Sequence, residues 1–270
     1  MKELTADPAL PILRAMASDE PRQPGEHGCA LVTGASRGIG AAIAYGLHRD
    51  GWAVGVNYRA DADGADAVVA RIRADGGRAE AVRADVSDPD AIDGLFERLE
   101  RDLGPVLVVV NNAGTAADDL LPMMDDDAWQ TVIDTNLGGA FRITRRALGP
   151  MLRARFGRIV NVGSISGMRA VAGQANYAAS KAGLEALTRV TAIEVARRGV
   201  TANVVTPGLI ETQLSAGASV VPSMVPAQRP GVPDDVAACV RFLVSDAAGY
   251  VNGSTLVVDG GLTAAVATAI

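Results

Sequence analysis

Tyr177 and Lys181 stand four residues apart, a spacing that sets a phenol and an ammonium on one face of a helix. A free tyrosine titrates near pH ~10 and is a poor base at neutrality, but a neighbouring cation favours its phenolate. Such a pair suits proton transfer to or from an oxygen atom. Composition sets the lysine apart. Lys2 and Lys181 are the only lysines, and arginine fills every other Lys/Arg position. A Tyr-x-x-x-Lys pair arises by chance in about 3 in 100 chains of this composition. Arginine offers a planar fork of donors, whereas lysine is a compact ammonium whose pKa shifts readily. Keeping lysine in an arginine-rich chain points to chemistry, so Lys181→Arg is expected to preserve folding and lose activity.

A second candidate for chemistry is the run Thr33-Gly34-Ala35-Ser36-Arg37-Gly38-Ile39-Gly40, between a short apolar segment and a helix-length one. Glycines there let the backbone turn tightly and approach a pyrophosphate, while the helix N-terminus favours negative charge. The spacing is G-x-x-x-G-x-G rather than the commoner G-x-G-x-x-G. A dinucleotide site selective for a free ribose 2′-hydroxyl usually has an acidic residue at the end of the second strand. Here that strand ends in Val56-Asn57-Tyr58-Arg59, with no acid among the last three. Arg59 and Arg37 suit a 2′-phosphate, which makes NADP(H) the expected cofactor. Asp61 and Asp63 follow closely and oppose that preference.

These groups need a scaffold, and the chain supplies alternating elements. Strands are expected at Ala30–Thr33, Ala53–Asn57, Ala79–Ala84, Val106–Asn111, Arg158–Gly163, Thr201–Thr206 and Thr255–Asp259. Several, such as Val106-Leu107-Val108-Val109-Val110, are continuously apolar, as strands buried on both faces are. Helices are expected at Ile39–Asp50, Gly64–Asp75, Pro89–Leu103, Trp129–Arg155, Ala175–Arg198 and Asp234–Ser245, several followed by glycine. The pattern predicts an α/β fold: a Rossmann-type, doubly wound, seven-stranded parallel sheet with helices on both faces, in one domain. Residues 1–28 read as a loosely held extension, residues 29–262 as the domain and residues 263–270 as a small apolar tail.

The remaining composition narrows the function. The net charge of −6 over 270 residues argues against general nucleic-acid or anionic-membrane binding. Cys29 and Cys239 are too few for a disulfide framework and have no CxxC partner, which fits two small buried residues in a reduced, cytoplasmic protein. No apolar run reaches the roughly 18 residues of a membrane span, and the N-terminus lacks the pattern of a secretory signal. No metal site is expected.

Further signals close successive strands: Asp85-Val86, Asn111-Asn112-Ala113-Gly114, Ser164 and Pro207-Gly208. In an open parallel sheet these loops converge on one crevice. Together with TGASRGIG, the S-x12-Y-x3-K spacing and the segments QANYAASKAG, NVVTPGLIET and YVNGSTLVVDGG, the set resembles the short-chain dehydrogenase/reductase family from Cys29 to Leu262. Within the family it is most similar to 3-oxoacyl-[acyl-carrier-protein] reductases. The resemblance implies a catalytic set of Asn136, Ser164, Tyr177 and Lys181. In that set Tyr177 gives a proton to a carbonyl oxygen that Ser164 also holds, and Lys181 holds the nicotinamide ribose. It implies that Gly34, Ser36, Arg37 and Ile39 line the cofactor phosphates and ribose, Asp85 and Val86 its adenine, Asn112, Ala113 and Gly114 the adjoining ribose, and Ile210 and Thr212 its amide. Enoyl reductases of this fold place lysine six residues beyond the active tyrosine; the gap of four favours carbonyl reduction.

Asn136-Leu137-Gly138-Gly139 is anomalous within a long helical stretch, since each glycine costs about 1 kcal/mol there. The expectation is a kink whose freed carbonyl holds a water leading to Lys181. Arg145, Arg146, Arg153, Arg155 and Arg158, with Arg197 and Arg198, form an expected basic patch; by resemblance Arg155 and Arg198 dock an acidic acyl carrier protein. The resemblance also implies a homotetramer built on the Trp129–Arg155 and Ala175–Arg198 helices. Residues 213–227 are short and uncharged for the lid of a carrier-dependent enzyme, which leaves the acyl chain open. The competing readings are a reductase or dehydrogenase of a free ketone, secondary alcohol or steroid, and a non-catalytic cofactor-binding protein.

Overall fold

A computed structural model of the chain describes residues 28–212 and 224–265. Seven parallel strands form one sheet: β1 Cys29–Val32, β2 Ala53–Tyr58, β3 Ala79–Arg83, β4 Val106–Asn111, β5 Gly157–Val162, β6 Val200–Pro207 and β7 Thr255–Val258. Their order is β3-β2-β1-β4-β5-β6-β7. The strand order therefore reverses between β1 and β4, the position at which open α/β sheets bind ligands beyond their carboxyl ends. The continuously apolar strands are buried along their whole length; every residue of β1, β4, β5 and β6 is buried.

Two helical layers sandwich the sheet. Helix α1 (Gly38–Arg49) packs against α2 (Ala62–Ala74) and α7 (Pro233–Val244). On the other side α3 (Pro89–Asp102) packs against α5 (Gly139–Ala154), and α5 against α6 (Ala175–Val195). This is the architecture that the alternating sequence predicts, with strand boundaries within a residue or two. Cys29 is enclosed in the core, where burial pushes its thiol up to about 12, whereas Cys239 is only half-buried.

The Trp129–Arg155 stretch differs from expectation because it is not one helix. Helix α4 (Asp126–Ile133) starts three residues earlier, capped by the Asp125 carboxylate accepting from the Ala128 amide at 2.7 Å. A wide π-type turn, Asp134–Gly138, then separates it from α5. Arg155 ends α5 in the left-handed region, at φ 51°. No helix among the described residues is long and apolar enough to cross a membrane. The 1–28 extension, apart from Gly28, lies outside the described residues, as do residues 213–223 of the lid segment and residues 266–270 of the tail.

Candidate active site

The glycine loop follows β1 and enters α1 in a tightly doubled path. Gly34 and Gly38 sit at φ +61° and +56°, a region that disfavours other residues, and a Cβ on Gly40 would lie 2.4 Å from the Gly34 carbonyl oxygen. Side chains from neighbouring strands brace the turn. The Asn112 amide donates to the carbonyls of Thr33 and Gly34 at 2.9 and 3.0 Å, and the Thr33 hydroxyl accepts from the Asn112 and Ala113 amides, each at 3.0 Å. Asn57 accepts from the Gly34 amide at 3.4 Å and donates to the carbonyls of Val82 and Ala84 at 3.3 and 3.0 Å. One buried side chain thus ties the carboxyl ends of β1, β2 and β3 together.

The helix entered by this loop is prepared for an anion. Asp61, Asp88 and Asp125 cap α2, α3 and α4 with their carboxylates, and each of those helices has acid in its first turn. Helix α1 has neither a side-chain cap at Arg37 nor an acidic residue in its first turn. Uncapped amides and positive dipole, reached by a loop without bulk, fit a pyrophosphate. Arg37 and Arg59 are both largely exposed beside this crevice, at long range from carboxylates: Arg37 lies 3.9 Å from Asp61, and Arg59 3.8 Å from Asp85. Burial pushes the Asp85 carboxyl up, but hydrogen bonds from the Ser87 hydroxyl and amide, with the Arg59 charge, outweigh it and leave the pKa lowered.

The other expected cofactor-site residues gather at the same edge. Ala113 presses on the loop, since a Cβ on Gly34 would meet its Cα at 2.9 Å. Val86 is buried against Gly139 at the start of α5. Pro207 closes β6, and the Gly208 amide donates to the Val258 carbonyl at 3.0 Å. Ile210 bridges to Gly231, and Thr212 returns to the glycine loop, its Cγ2 lying 3.7 Å from where a Gly38 Cβ would be. Ser36 and Ile39 lie within the loop and the first turn of α1.

The π-type turn carries Asn136 into the interior. Its side chain accepts from the Thr115 amide at 2.8 Å and donates to the Thr115 carbonyl and the Ser180 hydroxyl, both at 3.0 Å. The anomaly in the sequence is therefore a π-type turn between α4 and α5. The side chain itself is a clamp, holding the loop after β4 against α6. Lys181, only 5% exposed, donates from Nζ to the Val162 carbonyl at 2.8 Å. A Cβ on Gly114 would lie 3.3 Å from Asn136 Oδ1 and 3.6 Å from Lys181 Nζ, so the loop, the kink and the lysine meet there.

Tyr177 and Lys181 share one face of α6, with Nζ 5.5 Å from the phenol ring centroid. Ser164 caps the turn after β5, its Oγ accepting from the Ser166 amide at 3.2 Å. The electrostatics correct one expectation. Lys181 was expected to draw the Tyr177 pKa down; instead burial raises it, hydrogen bonding with Ser164 pulls it partly back, and the negative charge of Asp118 raises it further. Burial also lowers Lys181, to about 8. The phenol consequently holds its proton at neutral pH, the form needed to protonate a developing alkoxide.

The basic patch does not form as one surface. Arg158 is 5% exposed and contacts the Gly157 and Gly199 carbonyls and Asp246. Arg142, Arg145, Arg146 and Arg153 line a cleft of about 410 Å³ between α3 and α5, in which Arg146 is paired with Asp93 and Glu100. Arg155 and Arg198 are exposed neighbours at the amino ends of β5 and β6, the edge opposite Tyr177. The reading of charge along the sequence could not separate these three environments.

Sequence reasoning also passed over Thr33, Asn57, Thr115 and Ser180 as bracing groups. Only Asn57 carried a signal, as an amide closing an otherwise apolar strand.

The chain is similar to several known proteins along most of its length. A family model described as enoyl-(acyl carrier protein) reductase matches residues 34–263. A 3-oxoacyl-[acyl-carrier-protein] reductase of Synechocystis sp. is 46% identical over 236 residues, covering 86% of this chain and 96% of that protein. The enzyme of the same name from Pseudomonas aeruginosa is 43% identical over 238 residues, with the same coverage. A crystal structure described as a putative gluconate dehydrogenase from Agrobacterium tumefaciens superimposes with a TM-score of 0.86 at 35% identity, covering 92% of this chain and all of the other.

Proposed function

Because this chain belongs to the short-chain dehydrogenase/reductase family, we propose that it reduces the 3-oxo group of an acyl thioester borne on acyl carrier protein, using NADPH. The observation that carries the reading is the convergence of Ser164, a protonated Tyr177 and the buried Lys181 beside the glycine loop. The names of the Synechocystis and Pseudomonas relatives supply the substrate class.

A nicotinamide cofactor held by the Gly34–Gly40 loop, Asn112–Gly114 and Lys181 would supply the hydride that reduces the carbonyl carbon. Tyr177 donates its proton to the carbonyl oxygen, and the Ser164 hydroxyl donates a hydrogen bond to that oxygen as charge develops, so the product is a secondary alcohol. Lys181 places an ammonium behind the phenol and, through Val162, is fixed to the end of β5. Asn136 holds the Gly114–Thr115 loop in place for both. Assays of NADPH oxidation with acetoacetyl thioesters, diketones and cyclic ketones test the reading. Turnover confined to cyclic or other free ketones would move the enzyme to a different substrate class, and no turnover despite NADPH binding would support a non-catalytic role.

The preference for NADPH over NADH rests on Arg37 and Arg59 and the lack of acid at Asn57, Tyr58 and Arg59. Arg59→Asp should lower kcat/KM for NADPH about tenfold to a hundredfold, the range for losing a hydrogen bond to a charged group, while NADH is little affected. A higher kcat/KM for NADH than for NADPH in the parent would overturn the assignment.

Carrier docking at Arg155 and Arg198 belongs to the same proposal, as does assembly into a homotetramer through α5 and α6, whose outer faces expose Phe141, Val190 and Ile193. Reversing both charges, Arg155→Glu with Arg198→Glu, should raise KM for carrier-bound substrates about tenfold and leave small ketones unchanged. Equal effects on both would remove docking from these residues.

A further inference from the structure

The loop beside the start of α6 carries a pair of acids that the reaction does not use. Asp118 and Asp119 lie between β4 and α4, and their position is built rather than incidental. Asn176, fully buried at the start of α6, donates to the Ala117 carbonyl at 2.9 Å and the Ala128 carbonyl at 3.2 Å. The Asp119 amide donates to the Gly173 carbonyl at 2.9 Å. Gln174 Nε2 donates to Asp118 Oδ2, also at 2.9 Å. Three of these four bonds therefore pin residues 117–119 to the segment leading into Tyr177, one of them through the Asp118 carboxylate.

Asp118 has no ion-pair partner among the described residues, and residues 213–223 contain no Lys or Arg to supply one. Its side chain is exposed and is held by Gln174, three residues before Tyr177. The effect reaches the reacting group, because Asp118 acts electrostatically on the Tyr177 phenol.

We propose that Asp118 selects substrates by charge, excluding 3-oxo acids with a free carboxylate and admitting the neutral thioesters and esters of the same acids. The inference rests on the reading that Tyr177 protonates a ketone oxygen. With that oxygen at Tyr177, a 3-oxo acid holds its carboxylate only two carbon–carbon bonds from the reacting carbon. Esterification removes the charge and keeps the ketone. The chemistry is thus matched to acids presented as thioesters, whatever their carrier.

The test compares kcat/KM for ethyl acetoacetate and for acetoacetate in the parent, Asp118→Asn and Asp118→Glu. The parent should prefer the neutral ester, Asp118→Asn should narrow that ratio about tenfold, and Asp118→Glu should restore it. Raising salt from about 0.05 to about 0.5 M should narrow the ratio in the parent but not in Asp118→Asn. A ratio unchanged by Asp118→Asn, or insensitive to salt in the parent, would overturn the proposal while leaving carbonyl reduction intact. Failure of the parent to reduce the ester would overturn both.

Discussion

Lys181→Arg and Lys181→Met should each lower kcat by about a hundredfold to ten-thousandfold, the range for losing a group that acts in proton transfer. They should differ in stability. The ammonium sits in a closed environment, bonded to Val162 at 2.8 Å, with Asn136 and the Gly114 loop beside it. A guanidinium is larger and brings five N–H donors to a place where the lysine ammonium donates to the Val162 carbonyl, so arginine should cost about 1–3 kcal/mol through overpacking. The structure thereby revises the expectation that arginine would be tolerated there. Methionine fits the space but removes the charge. The pH dependence then isolates the lysine: burial lowers its pKa to about 8, below the ordinary lysine value of 10.5. Between those values the unfolded chain binds more protons, so parent stability should rise relative to Lys181→Met as pH climbs. Chemical denaturation at pH 7 and at higher pH would show it. Near-normal turnover in Lys181→Arg would mean that positive charge alone suffices.

Tyr177→Phe should lower kcat by a similar factor while the protein still binds NADPH. The ring remains to fill its place, and the hydroxyl is the only group lost. Ser164→Ala should leave more activity, because it removes a hydrogen bond to the oxygen but not the proton. Single-turnover kinetics with NADPH bound separate the two effects, since neither substitution should alter the first binding step by more than a few fold. Retention of more than about a tenth of kcat in Tyr177→Phe would assign the proton to another donor.

Much of this was legible because it depends on local order. Apolar strand runs, glycines after helices and residues at strand ends report the sheet directly, and the α/β order follows from them. The proposed catalytic set was read from spacing on one helix and from resemblance. The kink at Asn136 was legible as an inconsistency, two glycines and an asparagine inside a helical stretch. Its side-chain partners, Thr115 and Ser180, were not, because a hydrogen bond across 21 or 44 residues leaves no local trace. The same limit applied to charge. Arg158 and Arg155 are near neighbours in sequence, yet one is buried on the Gly157 and Gly199 carbonyls and the other lies exposed. The direction of the Tyr177 shift was misjudged for a related reason: the cation at i+4 is visible in sequence, but burial and the Asp118 charge arrive from the fold.

The four-residue gap from Tyr177 to Lys181 and the names of the curated relatives point to ketone reduction, whereas the matching family model bears the name of an enoyl reductase. One matched pair of substrates separates these chemistries: NADPH oxidation with a 3-oxobutanoyl thioester and with a trans-2-butenoyl thioester of the same carrier. The account predicts rapid turnover of the 3-oxo substrate to the 3-hydroxy product and none of the enoyl substrate. Reduction of the carbon–carbon double bond, with the ketone untouched, would contradict it.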